Sequence, residues 1–134
     1  MKKTFQGSCH CQKVRFEADI DLAAGTGKCN CSICWKVRNW SVIVKPHDLR
    51  VLEGESELSD YQWGQKVGHA YFCKHCGVRV FGRGNIPEIG GEYASVVLSS
   101  LDDLPPGDLA EAPVKHFNGR DNDWFNVPRE IRHL

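Results

Sequence analysis

Seven cysteines are the residues of this sequence most suited to chemistry, because they occur in close groups. They form three clusters, Cys9-x-Cys11, Cys29-x-Cys31-x-x-Cys34 and Cys73-x-x-Cys76. A gap of one or two residues in a tight turn lets neighbouring thiolates reach one metal ion from the same side, and thiolate sulfur is a preferred ligand of zinc. The clusters therefore predict zinc binding.

The segment from Cys73 to Gly77 is the strongest single zinc motif. It lies between two strand-like runs, Gly77 can adopt the positive φ that such a turn often needs, and the backbone N–H groups of the turn can point at the sulfurs. Two other interpretations are weaker. Buried structural thiols are typically isolated, and a redox pair at Cys73 and Cys76 would favour a βαβ context that the pattern lacks.

Seven ligands do not fill two closed four-coordinate sites. We therefore expect one site closed by four cysteines and one site held by three. The spacing alone does not fix which clusters combine. Joining the first and third clusters would connect two distant hairpins, and it would leave Cys29, Cys31 and Cys34 as a local site with a vacant position of the catalytic type.

Two alternatives stay open for the three-cysteine cluster. A histidine (His10, His75 or His116) could close it, since histidine is a frequent zinc ligand. The protein would then be a non-catalytic zinc-binding β module that presents a surface to a protein partner. A weaker option is redox sensing through the triplet.

An open zinc site held by three thiolates favours sulfur chemistry. Its net charge near −1 weakens the Lewis acidity of the metal, but a substrate thiol that binds there loses its proton well below the usual pKa of about 8.5. The resulting thiolate would add to a small carbonyl compound. The predicted partners are thus a small thiol and a small aldehyde.

Residues around the triplet fit a polar thiol less specifically. Lys36 and Arg38 could pair with carboxylates, and Trp35 and Trp40 could form a wall, although solvated charges and rim tryptophans are the commoner roles. The sequence has no Gly-rich phosphate loop and no Gly-x-Ser-x-Gly element. The adjacent Asp102 and Asp103 suggest a helix N-terminus rather than a pair of catalytic acids.

Most of the secondary structure around the cysteines is predicted to be strand. Val14, Phe16 and Ala18 alternate with charged residues, which is typical of a half-buried strand. Further short runs, separated by Gly and Pro, predict an antiparallel, mainly-β fold. These runs are Trp40–Val44, Tyr61–Trp63, Ala70–Cys73, Val78–Phe81 and Tyr93–Leu98.

Helices are expected to be few and short, because apolar positions at helical spacing do not persist beyond about two turns. The segment Ser100–Leu104 could form a capped helical turn that Pro105 and Pro106 would end. The tail, residues 111–134, carries Phe117, Trp124, Phe125 and Val127, so we expect it to pack on the sheet.

Length and charge exclude several functional classes. The 134 residues fit a single domain over residues 1–134. Seventeen basic and seventeen acidic side chains cancel, which argues against nucleic acid or an anionic membrane as a partner. No apolar run reaches the ~18 residues of a membrane span. The first residues do not resemble a signal peptide, so a reducing cytoplasmic location is expected.

Three motifs together resemble the glutathione-dependent formaldehyde-activating enzyme family, which includes the centromere protein V group. They are Gly7–Phe16, Cys29–Cys34 and Phe72–Gly77, and they are supported by the later segments Ser100–Asp103 and His116–Trp124. The sequence differs from the usual family pattern at Asn30, where histidine is frequent, at Trp35, where a basic residue is frequent, and at Asn39, where glycine is usual.

The resemblance implies a β-tent fold with two zinc ions per chain. Residues that match the structural zinc site of the family are Cys9, Cys11, Cys73 and Cys76. Residues that match its catalytic zinc site are Cys29, Cys31 and Cys34. The implied activity is that of a carbon-sulfur lyase, which condenses formaldehyde with glutathione to S-hydroxymethylglutathione.

Overall fold

The computed structural model describes residues 1–134, which form ten strands and two short helices. The strands are β1 (Lys3–Ser8), β2 (Arg15–Ile20), β3 (Thr26–Cys29), β4 (Ser41–Val44), β5 (Leu49–Glu53), β6 (Leu58–Tyr61), β7 (Gly68–Cys73), β8 (Arg79–Ile86), β9 (Gly91–Val97) and β10 (Val114–Phe117). The helices are α1 (Ser32–Val37) and α2 (Pro106–Glu111). The mainly-β prediction is confirmed. Neither helix has the length and apolar character needed to span a bilayer.

The strands form two sheets. The smaller sheet has the order β1-β2-β5, and the larger has the order β10-β3-β4-β9-β8-β7-β6. All neighbouring strands are antiparallel except β10 and β3, which run parallel. The predicted antiparallel sheets thus contain one parallel pair, at this edge, because α2 and its flanking segments return the chain alongside β3.

The apolar core lies between the two sheets. Phe16, Ala18 and Ile20 of β2 are buried and alternate with more exposed residues, as the sequence pattern predicts. The ring of Phe16 meets the ring of Phe81 in β8 edge to face, with the ring centroids 5.2 Å apart. This contact joins the two sheets directly.

Most of the predicted strands are present with shifted ends. Trp40 lies just outside β4, and Leu98 lies just outside β9. The predicted strand Tyr61–Trp63 is wrong beyond its first residue, because β6 ends at Tyr61. Trp63 instead lies in the loop before β7, where its ring stacks on that of Tyr61 at 5.4 Å.

The predicted helical turn over residues 100–104 is wrong. A single 3₁₀ turn ends at Ser100, and α2 begins at Pro106, inside the segment that we expected to end a helix. Proline at the first helical position costs nothing, because its missing N–H would have no partner there. Asp102 and Asp103 do not lie at a helix N-terminus. Asp102 accepts a hydrogen bond from the Ser8 hydroxyl at 2.7 Å, and Asp103 accepts one from the Gln6 backbone N–H at 2.9 Å.

The tail packs on the larger sheet only in part. Strand β10 pairs with β3, and the ring of Trp124 lies 6.4 Å from that of Phe117. The side chain of Phe125 is 97% exposed, and Val127 is also exposed, so the packing that we expected of these two residues is absent.

Candidate metal centres

In the structure the seven cysteines form two clusters. The first cluster, Cys9, Cys11, Cys73 and Cys76, joins turns from both sheets. Cys9 and Cys11 lie in the turn between β1 and β2, whereas Cys73 ends β7 and Cys76 lies in the turn before β8. The sulfurs of all four lie within 4.8 Å of one another. The Sγ atom of Cys11 is 3.6 Å from both Cys9 Sγ and Cys73 Sγ. Sulfurs at the corners of a zinc tetrahedron are separated by about 3.8 Å, since each lies about 2.3 Å from the ion. The donor set and its spacing therefore fit a four-coordinate metal ion.

Backbone N–H groups turn toward the sulfurs of this cluster. Val14 N–H donates to Cys9 Sγ at 3.3 Å, and His75 N–H donates to Cys73 Sγ at 3.4 Å. Gly77 has φ of 76°, so the chain turns as the motif predicts. Such donors stabilise negative charge on sulfur, which is the form that a metal ion binds.

The thiols of the first cluster differ in acidity. Hydrogen bonds from the backbone N–H groups of Cys11 and then Val78 lower the pKa of Cys76 to about 6. The backbone N–H of Lys13 also favours a thiolate at Cys11, but loss of solvent and hydrogen bonds shared with the other thiols outweigh it and raise the pKa of Cys11 to about 11. Cys76 thus loses its proton more readily than Cys11.

The second cluster consists of Cys29, Cys31 and Cys34, which are close neighbours in the sequence. Cys29 ends β3, Cys31 is the N-cap residue of α1, and Cys34 lies in the first turns of that helix, so the three sulfurs lie within 4.8 Å of one another. Cys31 N–H donates to Cys29 Sγ at 3.4 Å. Hydrogen bonds from the thiols of Cys29 and Cys34 lower the pKa of Cys31. Hydrogen bonding to Cys31 raises the pKa of Cys29, and hydrogen bonding to Cys29 and Cys31 raises the pKa of Cys34. The short helix α1, which we did not predict, brings Cys34 back toward the other two.

No histidine or carboxylate joins the three sulfurs of the second cluster. His75 is bound elsewhere, since its Nε2 atom lies 2.6 Å from an Oε2 atom of Glu57. His10 and His116 belong to neither group of metal-competent side chains. The alternative in which a histidine of this chain closes the site therefore has no support in the geometry.

A buried polar network holds the second cluster against the loop after β10. Asn30 is 7% exposed, and its amide donates to Asn118 Oδ1 at 2.9 Å and accepts from Arg120 N–H at 3.0 Å. Asn118 in turn donates to Asp121 Oδ2 at 3.0 Å. Asparagine at position 30 thus has a structural role between two of the candidate ligands, and the loop of residues 118–121 braces the turn that carries them.

Two cavities reach the second cluster. The larger is a cleft of about 1180 Å³ lined by Cys29, Cys31 and Cys34, and it extends along β3, β4 and β9. The smaller, about 200 Å³, is lined by Cys29 and Cys34 together with three of the residues proposed for the thiol pocket, Trp35, Arg38 and Trp40. The fourth, Lys36, lines neither cavity. Arg38 is also engaged, because its Nη1 donates to the carbonyl oxygen of His133 at 2.8 Å.

Arg79 lines the larger cleft, and the sequence analysis missed it. It is the first residue of β8, three positions after Cys76, and its Nη1 atom is buried without a hydrogen-bond partner. Burial lowers the pKa of Arg79, and negative charge on Cys34 and Cys31 raises it. An arginine between two valines in a strand-like run carries a weak signal, and only the topology places it beside the second cluster.

Comparison with known proteins identifies the family of this chain. The family described as glutathione-dependent formaldehyde-activating enzyme matches residues 4–119. The chain belongs to this family.

Two relatives illustrate the similarity. A Penicillium rubens protein named "Putative glutathione-dependent formaldehyde-activating enzyme" is 36% identical over 80 residues, which cover 56% of this chain and 41% of that protein. The chain thus spans about two-fifths of the length of this curated relative. The crystal structure of a Rhodobacter sphaeroides protein matches with a TM-score of 0.68 and 30% identity, and the match covers 82% of this chain and 99% of that one.

Proposed function

We propose that this protein is a zinc-dependent carbon-sulfur lyase that adds a glutathione-like thiol to a formaldehyde-like aldehyde, giving an S-hydroxymethyl adduct. The observation that carries the proposal is a cluster of three cysteines, without a fourth ligand from the chain, that faces a cleft of about 1180 Å³. Membership of the family and the name of the Penicillium relative support the substrate pair.

Two zinc ions per chain are part of the proposal. The four-cysteine cluster (Cys9, Cys11, Cys73 and Cys76) would hold a structural ion, because it completes a tetrahedron and joins the two sheets. The three-cysteine cluster (Cys29, Cys31 and Cys34) would hold the catalytic ion. Zinc bound there would supply a vacant position at which a substrate thiol ionises at neutral pH.

The chain's residues then have to hold the thiol and admit the aldehyde. The cleft lies on the side of the triplet where Arg79 and Lys28 supply positive charge, which suits an acidic thiol. In the addition, the sulfur lone pair forms the new C–S bond, and the C=O π pair moves to the oxygen. That oxygen then takes up one proton from water in the open cleft. This proton balances the one that the thiol released when it ionised.

The proposal is tested by following adduct formation in an NMR exchange experiment with glutathione and formaldehyde. We expect the zinc-loaded protein to accelerate exchange between free and hydroxymethylated glutathione, and Cys34→Ser to abolish the acceleration while the chain stays folded. A rate equal to the uncatalysed one would remove this substrate pair.

Cobalt substitution distinguishes the lyase from a non-catalytic zinc module. We expect the visible spectrum of the cobalt-loaded protein to shift when glutathione is added, because the thiol enters the vacant position. A spectrum that no thiol changes would indicate two closed sites and a structural or protein-binding role.

A further inference from the structure

Arg79 places an unused positive charge beside the second cluster. Its buried Nη1 has no hydrogen-bond partner, and its side chain lines the cleft together with Cys29, Cys31 and Cys34. A buried guanidinium N–H without an acceptor is costly. A group that enters the cleft with a suitably placed acceptor would remove that cost.

The charges that line the cleft are unbalanced toward the positive. Each of its three carboxylates is already paired within the chain: Asp19 with Arg50, Asp21 with the N-terminus and Asp48 with Lys2. Three lysines that line it form no salt bridge: Lys28, Lys45 and Lys115. The surface of the cleft thus attracts an anion, and Arg79 and the triplet both line it.

We infer that Arg79 is a specificity-determining residue that binds a carboxylate of the thiol substrate while its sulfur occupies the three-cysteine site. This rests on the proposed function and adds to it the residue that would recognise a carboxylate of the thiol. The planar guanidinium matches a carboxylate with two parallel N–H···O hydrogen bonds, which a lysine cannot reproduce. If Arg79 only balanced the negative charge of the cysteine thiolates, its substitution would weaken the binding of charged and neutral thiols equally.

The test compares two thiols of equal length, 3-mercaptopropionate and 3-mercaptopropionamide, in titrations of the cobalt-substituted protein followed by its visible spectrum. We expect the natural chain to bind the carboxylate at least about tenfold more tightly than the amide. Arg79→Met should reduce this preference to within about twofold, and Arg79→Lys should leave an intermediate value. Taking the ratio of the dissociation constants of the two thiols cancels any general effect of the substitution on the metal site.

Arg83→Met is the matched control, because Arg83 lies in the same strand and does not line the cleft. It should keep the preference of the natural chain. Equal weakening of both thiols by Arg79→Met, or no preference in the natural chain, would overturn the inference while leaving the lyase proposal intact. If neither thiol changes the spectrum of the natural protein, the vacant position does not exist, and the proposed function fails together with the inference.

Discussion

Gly119 lies directly against the sulfur of Cys29. A Cβ atom on Gly119 would be 2.7 Å from Cys29 Sγ, which is closer than such atoms approach in proteins, and 3.0 Å from Cys31 Cβ, which is a tight contact. The backbone after β10 therefore forms one wall of the three-cysteine site. This wall comes from a segment about ninety residues away from the triplet along the chain.

The first prediction concerns this contact. We expect Gly119→Ala to displace Cys29 and to weaken metal binding at the three-cysteine site by at least about tenfold, with the four-cysteine site unaffected. Zinc release to a chromogenic chelator should show one faster phase and one unchanged phase. Gly107→Ala is the control, because a Cβ there meets no atom within 4 Å. Two unchanged phases in Gly119→Ala would contradict the proposed packing.

The second prediction separates the roles of the two clusters. Cys73 is fully buried at the end of β7, and its Sγ lies 3.6 Å from that of Cys11, which lies between two strands of the other sheet. Because metal-binding energy is folding energy in a domain of this size, Cys73→Ser should unfold the chain. Cys34→Ser should instead give a folded protein that binds one zinc ion per chain. Circular dichroism and metal analysis check both, and a Cys73→Ser variant that melts like the natural protein would refute the structural assignment.

The third prediction concerns the buried network at Asn30. Asn30→Ala removes hydrogen bonds to Asn118 and Arg120 and leaves their polar groups without these partners. We expect a loss of about 1–3 kcal/mol in the free energy of unfolding, measured by urea denaturation of the zinc-loaded protein. Asn85→Ala, at an exposed position in β8, should change it by less than about 0.5 kcal/mol. Equal effects of the two variants would show that the network does not stabilise the loop.

The fourth prediction concerns pH and the smaller sheet. Hydrogen bonds from Arg50 lower the pKa of Asp19 and of Glu17. A carboxylate with a lowered pKa stabilises the fold above its unfolded pKa, about 4, and loses that contribution only as the pH falls toward its folded value. Arg50→Met should therefore reduce the melting temperature by the same amount at pH 6 and at pH 8. A loss that appears at only one of these pH values would indicate a different titrating partner.

The sequence predicted those parts of the sites that depend on neighbours in the chain. The turn at Cys73–Gly77 and the spacing of Cys29, Cys31 and Cys34 are local, so residue type and spacing suffice. Gly119 and Arg79 reach the second cluster through the parallel pairing of β10 with β3 and through the position of β8. No local pattern encodes such contacts, which is why the sequence analysis missed them. The helix after Pro105 was missed because proline ends one helix and begins another equally well.

The four-cysteine cluster also has a consequence for the order in which the chain assembles. Its two pairs of cysteines are separated by more than sixty residues. A nascent chain that has emerged only as far as β5 therefore carries only two of the four candidate ligands, Cys9 and Cys11. The proposed zinc ion would close this loop only after the turn before β8 has left the ribosome, and its binding energy would offset the entropic cost of closing so long a loop. A shortage of zinc during synthesis would therefore leave the β1–β2 hairpin without this link to β7 and β8.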